Sequence, residues 1–368
     1  MEKGTKGIAA GIGTGSVIAS IPALTGVVIN TLSKPKDTDD MLKAINGEIK
    51  NSSGNSVLLK GINLCEVPFT CLKNDEPFEA NADEVFNTLK ERFGHYGARE
   101  VFNTCFASAY TPDDVKALAK MGINCVNIPM RSVLLAEAFK SKKNQIHFGK
   151  MDTLIKACKK AGVYVILSLD EKPEKDKETV KLWEKIAKHY AKETAIAGYN
   201  LIASPDTDAA SLCKAYSPVI KAIRKLQDNH IIILSAQNIA DTDKIMTAED
   251  SNIAFGFSLK TATVIENNEV IEAVKAVKSK GFAIIGTSLY PAGYEETATA
   301  LTSEGIGWCM GGLKGDMYCL YCGDSPSIDL EKDSHDEMKE KLTNALATKN
   351  YKLNKGMSDM FATLLKSE

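Results

Sequence analysis

The sequence predicts an α/β fold, a (β/α)8 TIM barrel, preceded by a single N-terminal transmembrane helix. Three observations lead to this prediction. The chain has 368 residues, enough for one barrel of about 250 residues with additional segments. Short apolar strands alternate with helical segments, and eight of them argue for a closed barrel rather than an open sheet. An uncharged stretch near the N-terminus has the length of a membrane span.

Composition excludes several classes of protein. Hydrophobic residues make up 44% of the chain, which suits a large core, and the net charge of −2 gives no electrostatic reason to expect nucleic acid binding. The nine cysteines are odd in number and irregularly spaced, unlike a disulfide framework. Cys319 and Cys322 form a lone Cys-x-x-Cys that lacks the second ligand pair of a zinc site, so a plain loop or a local disulfide is favoured there. We therefore predict no metal and no cofactor.

The N-terminal stretch from Gly7 to Leu32 carries no charge and is flanked by lysines on both sides. Residues 1–32 are predicted to anchor the chain in a membrane, with a cleaved signal peptide as the alternative. The balanced lysines leave the orientation open. Gly7, Gly11 and Gly15 recur every four residues and would form a small-residue face, which predicts a homodimer of the span unless it is background composition.

Residues 33–46 are polar and are predicted to be a linker, so the barrel with its C-terminal helices would occupy 47–368. A hairpin is predicted over 48–60, with its turn at 52–55. The eight predicted strands are 57–64, 125–129, 164–167, 197–202, 231–234, 253–259, 283–286 and 306–310.

Helical periodicity fills most of the intervals. Thr111 and Pro112 are a typical N-cap and first helical residue, and Gly122 and Gly162 are typical stops. Further helices are predicted near 154–161, 180–191, 212–226, 270–280, 298–301, 335–346 and 357–365.

Several segments resemble family 5 glycoside hydrolases in order and spacing over roughly residues 47–324. The segment from Gly198 to Pro205 resembles the family's fourth strand, and that from Ala283 to Ser288 its seventh. The opening strand, the second strand, the last strand and an endoglucanase-type helix are matched by 57–64, 121–129, 305–308 and 86–94. The resemblance implies the fold, and it implies that a retaining pair of carboxyl groups should lie about 5 Å apart.

The active-site positions are where the resemblance fails. It places Ser204 at the acid/base position and Thr287 at the nucleophile, and neither side chain supplies a carboxyl group. The supporting positions also differ: Asn127 stands for an Arg, Asp170 for a His, Ala203 for an Asn, Ser258 and Lys260 for a His and a Tyr, and Gly311 for a Trp.

We therefore predict a membrane-anchored pseudoenzyme whose barrel faces the cell exterior and works as a binding or scaffold module. A carbohydrate or a cell-surface protein would be its partner, although only two tryptophans are available for sugar stacking. The alternatives are another chemistry on the same barrel or an active hydrolase with relocated acids. Acids that follow strands are Glu66, Asp170, Glu171, Asp206 and Asp208, of which the last two could instead cap the next helix.

The rim formed by the carboxyl ends of the strands, here called the mouth, carries charges of both signs. Asp170 and Glu171 follow the third strand, Lys260 lies on the sixth, Lys314 on the eighth and Arg131 after the second. Because converging charges are costly to desolvate unless they are paired, we predict a mouth narrowed by ion pairs. Asp170 and Lys260 should each have an opposite charge or a backbone group within hydrogen-bond reach. The alternative is that both point to solvent and leave an open, empty cleft.

Overall fold

The computed structural model describes residues 38, 40–64, 70–73, 76–78, 82–130, 148–169, 176–245, 250–260, 263–315 and 318–366. The predicted anchor lies outside these residues, as do Glu66, Arg131, Asp170 and Glu171. Within the described part of the chain, no helix is both long and apolar enough to span a bilayer.

The folded part begins with a hairpin of β1 (Lys43–Ile45) and β2 (Glu48–Lys50). Its turn is Asn46–Gly47, where both residues have positive φ, 51° and 77°. Asn-Gly is the strongest short signal for such a two-residue turn. The last residues of the segment predicted as a linker therefore belong to the folded body. The predicted turn at 52–55 is also present, since Gly54 N donates to Asn51 O at 3.0 Å.

Thirteen further strands follow in the described part of the chain. They are β3 (Lys60–Asn63), β4 (Thr70–Lys73), β5 (Glu76–Phe78), β6 (Cys125–Met130), β7 (Tyr164–Leu169), β8 (Ile196–Asn200), β9 (Ile231–Ser235), β10 (Ile253–Lys260), β11 (Ile284–Tyr290), β12 (Gly307–Gly315), β13 (Cys319–Cys322), β14 (Ser327–Asp329) and β15 (Lys352–Leu353).

Eight of these strands form a closed parallel barrel. The order of pairing is β3, β6, β7, β8, β9, β10, β11 and β12, and β12 pairs with β3 to close the ring. The predicted barrel is therefore confirmed. Several strands outside the barrel were not predicted from the sequence. β14, β4 and β5 form a separate three-stranded sheet, and β13 and β15 extend the barrel sheet beyond β12.

Nine α-helices surround the barrel in the described residues. They are α1 (Ala82–Ala109), α2 (Pro112–Lys120), α3 (Gly149–Ala161), α4 (Asp176–Tyr190), α5 (Ala209–Lys225), α6 (Val264–Lys278), α7 (Tyr294–Ser303), α8 (His335–Ala345) and α9 (Lys355–Lys366). A 3-10 helix, Ile239–Ile245, stands between β9 and β10.

The helix ends follow the predicted signals. Thr111 caps α2 in a reciprocal capping box with Asp114, and Gly162 ends α3 in the left-handed region at φ 70°. Helix α1 is longer than the predicted 86–94 and is interrupted at Gly94, whose φ is 70° and ψ is 175°. These conformations suit glycine because it lacks a Cβ.

A separate buried cluster brings together residues from seven of the barrel strands and from the segment before β3; it consists of small and aliphatic side chains with one aromatic ring, Tyr164. Cys125 and Cys309 lie on either side of Gly61, with 3.8 Å between their sulfur atoms. A Cβ on Gly61 would lie 2.5 Å from Cys125 O, so only glycine fits between them. The eight described cysteines are all free thiols, including Cys319 and Cys322 in β13, so the local disulfide considered there is wrong.

Candidate functional site

The position predicted for the nucleophile lies at a bulge in β11. Pairing with β10 passes from Gly286 to Ser288 while β10 advances by one residue, so Thr287 is the extra residue. A bulge changes the direction of the backbone at one point of a strand and is common beside active sites. Here both the hydroxyl and the carbonyl of Thr287 are hydrogen-bonded inside the barrel. The Thr287 side chain is 0% exposed.

Asn127 of β6 is the centre of the contacts on one side. Its Nδ2 donates to the Thr287 carbonyl at 2.6 Å and to Asn63 Oδ1 at 3.0 Å, and its Oδ1 accepts from the Ser168 hydroxyl at 2.5 Å. Asn63 is in turn bonded to β12: its Nδ2 donates to Cys309 O at 3.0 Å and to Gly311 O at 2.9 Å. Both polar atoms of the Asn127 side chain are therefore engaged in hydrogen bonds inside the barrel.

Asn200 of β8 makes the corresponding contacts on the other side. Its Nδ2 donates to Thr287 Oγ1 at 3.1 Å, and its Oδ1 accepts from the Ser235 hydroxyl at 3.1 Å. The Ser235 carbonyl in turn accepts from the Tyr216 hydroxyl at 2.6 Å. All four side chains are buried.

Together these contacts form an interior network of six buried side chains near the carboxyl ends of the strands: Asn63, Asn127, Ser168, Asn200, Ser235 and Thr287. Every member is an uncharged amide or hydroxyl. Such groups hold their positions by exchanging hydrogen bonds, but none is a carboxylate that could attack an anomeric carbon. The sequence reading named two members, Asn127 and Thr287. The signal for the other four is a polar residue at or near the carboxyl end of a buried strand.

The acid/base position lies beyond the end of β8. Ala203 is buried, and its backbone N donates to Leu169 O at 2.8 Å, which ties the segment to the end of β7. Ser204 is exposed. Ser204 thus follows the carboxyl end of β8 and is exposed, whereas Thr287 lies in the middle of β11 and is buried inside the barrel.

Two acids considered as substitutes lie close to Ser204. Asp208 is the N-cap of α5, with Oδ1 accepting from Ala210 N at 2.9 Å and Ser211 N at 3.0 Å. These bonds and that of the Ser211 hydroxyl lower the pKa of the Asp208 carboxyl. Asp206 makes no such cap. It is exposed and accepts from Gln237 Nε2 at 3.1 Å.

The predicted pairing at the mouth can be followed for Lys260, and it is not seen among the described residues. Ser258 and Lys260 are exposed at the end of β10, and Lys260 has no ion pair with any described residue. The solvent-facing alternative is thus the one observed for Lys260. Asp170 lies outside the described residues, so its predicted partner stays a prediction.

The placement of Lys314 at the mouth is wrong. Its side chain is buried outside the barrel, where Nζ donates to Asp114 Oδ2 at 3.0 Å, to Ala109 O at 2.6 Å and to Leu346 O at 3.3 Å. Burial lowers the pKa of the Lys314 amine, against the opposing effect of the Asp114 carboxylate. The cation at the ends of α1 and α8 suits the negative ends of these helices.

The position of the missing tryptophan, Gly311, has no room for a side chain. Its φ is +64°, and a Cβ there would lie 2.9 Å from Tyr318 O and closer still to the Met357 methyl group. Helix α9 and the segment before β13 thus occupy the space beside the strand. Any side chain at residue 311 would require the Met357 side chain and the Tyr318 carbonyl to move.

A second buried polar cluster lies at the opposite end of the strands, outside the barrel. Asp228 accepts from His230 Nδ1 at 2.6 Å and from the Tyr199 hydroxyl at 2.9 Å, while His230 Nε2 lies 3.0 Å from Glu193 O. Burial alone would raise the pKa of Asp228, but the bonds and charge of His230 outweigh it and the pKa is lowered. Burial and Asp228 raise the pKa of Tyr199 far above its usual value. The location indicates a structural role.

Comparisons with known proteins agree with this architecture. The model of Cellulase (glycosyl hydrolase family 5) matches residues 94–270, which include Ser204 but end before β11. A β-xylosidase from Phanerodontia chrysosporium is 26% identical over 236 residues, which cover 54% of this chain and 47% of that protein. The chain therefore spans less than half the length of this curated relative.

Solved structures are similar in fold. The β-glucanase SdGluc5_26A from Saccharophagus degradans has a TM-score of 0.54 at 14% identity, covering 84% of this chain and 94% of its own. The catalytic domain of Thermobifida fusca endoglucanase Cel5A has a TM-score of 0.53 at 16% identity, with 82% and 96% covered. An endogalactoceramidase has a TM-score of 0.55 at 14% identity, with 83% and 84% covered.

The closed parallel barrel, with helices between its strands, defines the class as a (β/α)8 barrel. The family match over 94–270 confirms the resemblance inferred from the sequence: this part of the chain is similar to glycoside hydrolase family 5, and the fold is the expected barrel.

Proposed function

We propose that this barrel is a pseudoenzyme that acts as a binding or scaffold module. One observation carries the proposal: Thr287 is fully buried, and both its hydroxyl and its carbonyl are held by asparagine amides. A nucleophile must reach the anomeric carbon of a bound sugar, and a sealed hydroxyl cannot. Its ordinary pKa is also far too high for it to act as a carboxylate does.

The opposite position supports the same conclusion. Retaining hydrolysis needs a second carboxyl group to protonate the leaving oxygen, about 5 Å from the first. Ser204 is exposed and offers only a hydroxyl. The crowded Gly311 further argues against a tryptophan-like platform for a sugar ring at that point.

The test is a hydrolysis assay of the whole chain on aryl β-xylosides, aryl β-glucosides and soluble β-1,4-glucan. We expect product release no faster than from a Ser204→Ala/Thr287→Val double variant, which serves as the matched control for contaminating enzymes. Turnover by the native chain that exceeds this control, or equal turnover by both that disappears when another acid is neutralised, would contradict the proposal.

The second candidate is an active hydrolase with relocated acids, and the similarity to a β-xylosidase favours it. Among the described acids, Asp206 is the better placed because it is exposed and is not consumed by capping. Asp206→Asn should then abolish turnover. Asp208→Asn is the matched control, since Asn caps a helix as well as Asp does.

Membrane attachment through residues 7–32 and an exterior barrel are part of the proposal. The supporting observation is the uncharged N-terminal stretch. We expect the full chain to stay in the membrane fraction after an alkaline carbonate wash, and a chain starting at residue 33 to be released. Release of both would remove the anchor from the proposal.

A further inference from the structure

The segment between β2 and β3 contains an acceptor sequence for N-linked glycosylation. Asn51-Ser52-Ser53 fits Asn-x-Ser/Thr, and it is the single such sequence in the 368 residues. We propose that Asn51 carries an N-linked glycan. The inference rests on the exterior location included in the proposed function.

The turn presents Asn51 in a suitable way. Its main-chain O accepts from Gly54 N at 3.0 Å, and its N donates to Asn55 O at 3.0 Å, which fixes the backbone. Residues 52–56 are exposed. The side-chain Oδ1 accepts from Asn55 N at 2.9 Å, while Nδ2 has no hydrogen bond to any described residue. The nitrogen that must react is therefore available, and the oxygen can keep its bond after the reaction.

The chemistry requires a co-reactant of one class, an oligosaccharide linked to a polyprenyl diphosphate. The bond between the anomeric carbon and the diphosphate oxygen breaks, and the diphosphate leaves with the electron pair. A new bond forms between the anomeric carbon and Asn51 Nδ2, which loses one proton. No oxidant or reductant takes part. Ser53 is the hydroxyl-bearing residue that the acceptor sequence requires at its third position.

The location gives the modification a consequence for binding. Asn51 precedes β3 and therefore lies at the amino ends of the barrel strands, at the opposite end from Ser204 and Thr287. A glycan there would cover the hairpin side of the barrel and leave the mouth accessible. A partner that binds at the mouth would not need the glycan to be removed.

The test expresses the full chain in a eukaryotic secretory host, with a second acceptor sequence fused after Glu368 as a reporter of compartment. Peptide N-glycosidase digestion should remove two glycans from the native chain and one from Asn51→Gln. Ser53→Ala should lose the Asn51 glycan, and Ser52→Ala should keep it. These two changes are matched because both serines are exposed neighbours in the turn.

A glycan on the reporter but not on Asn51 would overturn the proposal, because it would show that Asn51 is not accessible to the glycosylating enzyme. A chain with neither glycan would overturn it as well, because it would show that the barrel does not reach the compartment where glycans are added. Both outcomes are separate from the hydrolysis assay, because turnover bears on the mouth and the glycan on the opposite end.

Discussion

Asn127 offers a sharp test of the interior network. In Asn127→Asp the side chain keeps its size but loses both N–H donors, so Asn63 Oδ1 and the Thr287 carbonyl are left facing a new oxygen. Leaving a buried group without its hydrogen bond costs about 1–3 kcal/mol, so two such groups predict a loss of about 4 kcal/mol at neutral pH. This is a large share of the roughly 5–15 kcal/mol by which a domain is stable.

The pH dependence gives a second, independent signature. Burial and the two facing oxygens should raise the pKa of the new carboxyl in the folded state above its unfolded value of about 3.9. The new carboxyl then binds more protons in the folded state than in the unfolded state, so the cost of the substitution relative to the native chain should grow as pH rises from 4 to 7. At pH 4 the protonated carboxyl can still donate one bond.

The assay is urea unfolding at both pH values, followed by the fluorescence of Trp183 and Trp308, which are both fully buried. Asn238→Asp is the matched control, because Asn238 is exposed and its Oδ1 accepts from Ala240 N, which Asp does equally well. A cost below about 1 kcal/mol at pH 7 relative to the native chain, or a cost that is larger at pH 4 than at pH 7, would refute the reasoning.

Three further predictions use other parts of the structure. The double variant Ser204→Glu/Thr287→Glu should not hydrolyse aryl β-glucosides, and appreciable turnover would show that the two acids alone suffice. Of the single variants, Thr287→Glu should be far less stable to urea than Ser204→Glu, because only Thr287 is buried. Asp228→Asn should destabilise the protein at pH 7 and progressively less as pH falls below about 4, because a lowered folded-state pKa stabilises only above the unfolded value and is lost on acidification; a cost independent of pH would contradict this. Gly311→Ala should cost clearly more in thermal unfolding than Gly54→Ala, since both have positive φ but only Gly311 meets other atoms at the new Cβ; equal costs would mean that α9 yields freely.

The barrel could be predicted from the sequence because its signals are local. Apolar strands of β-branched residues, the Thr111 cap and the Gly162 stop all act within a few residues, and the structure has each of them. The small outer strands could not be predicted in the same way. β14 pairs with β4 more than 250 residues earlier, and strands of three or four residues are too short to carry a periodicity of their own.

The sequence located the residues of the candidate site along the chain but did not predict the contacts that they make. The resemblance located Ser204, Thr287 and Asn127, but a sequence does not show that Thr287 sits in a bulge. The bulge turns a backbone carbonyl inward, and that carbonyl meets an amide 160 residues away. The prediction for Lys314 was wrong for a related reason. Its place in the last strand put it near the rim, whereas its side chain points outward to a carboxylate on α2. Which face a residue occupies near an irregular strand end depends on register shifts that single residues do not reveal.

The interior network has one consequence for where such a protein can work. Its six side chains are amides and hydroxyls, none of which takes up or releases a proton across the acidity range of living compartments. Acid pairs in a glycosidase must trade protons to function, and their arrangement changes with the medium. In this chain, the hydrogen bonds at the centre of the barrel should therefore keep the same geometry in acidic and in neutral surroundings.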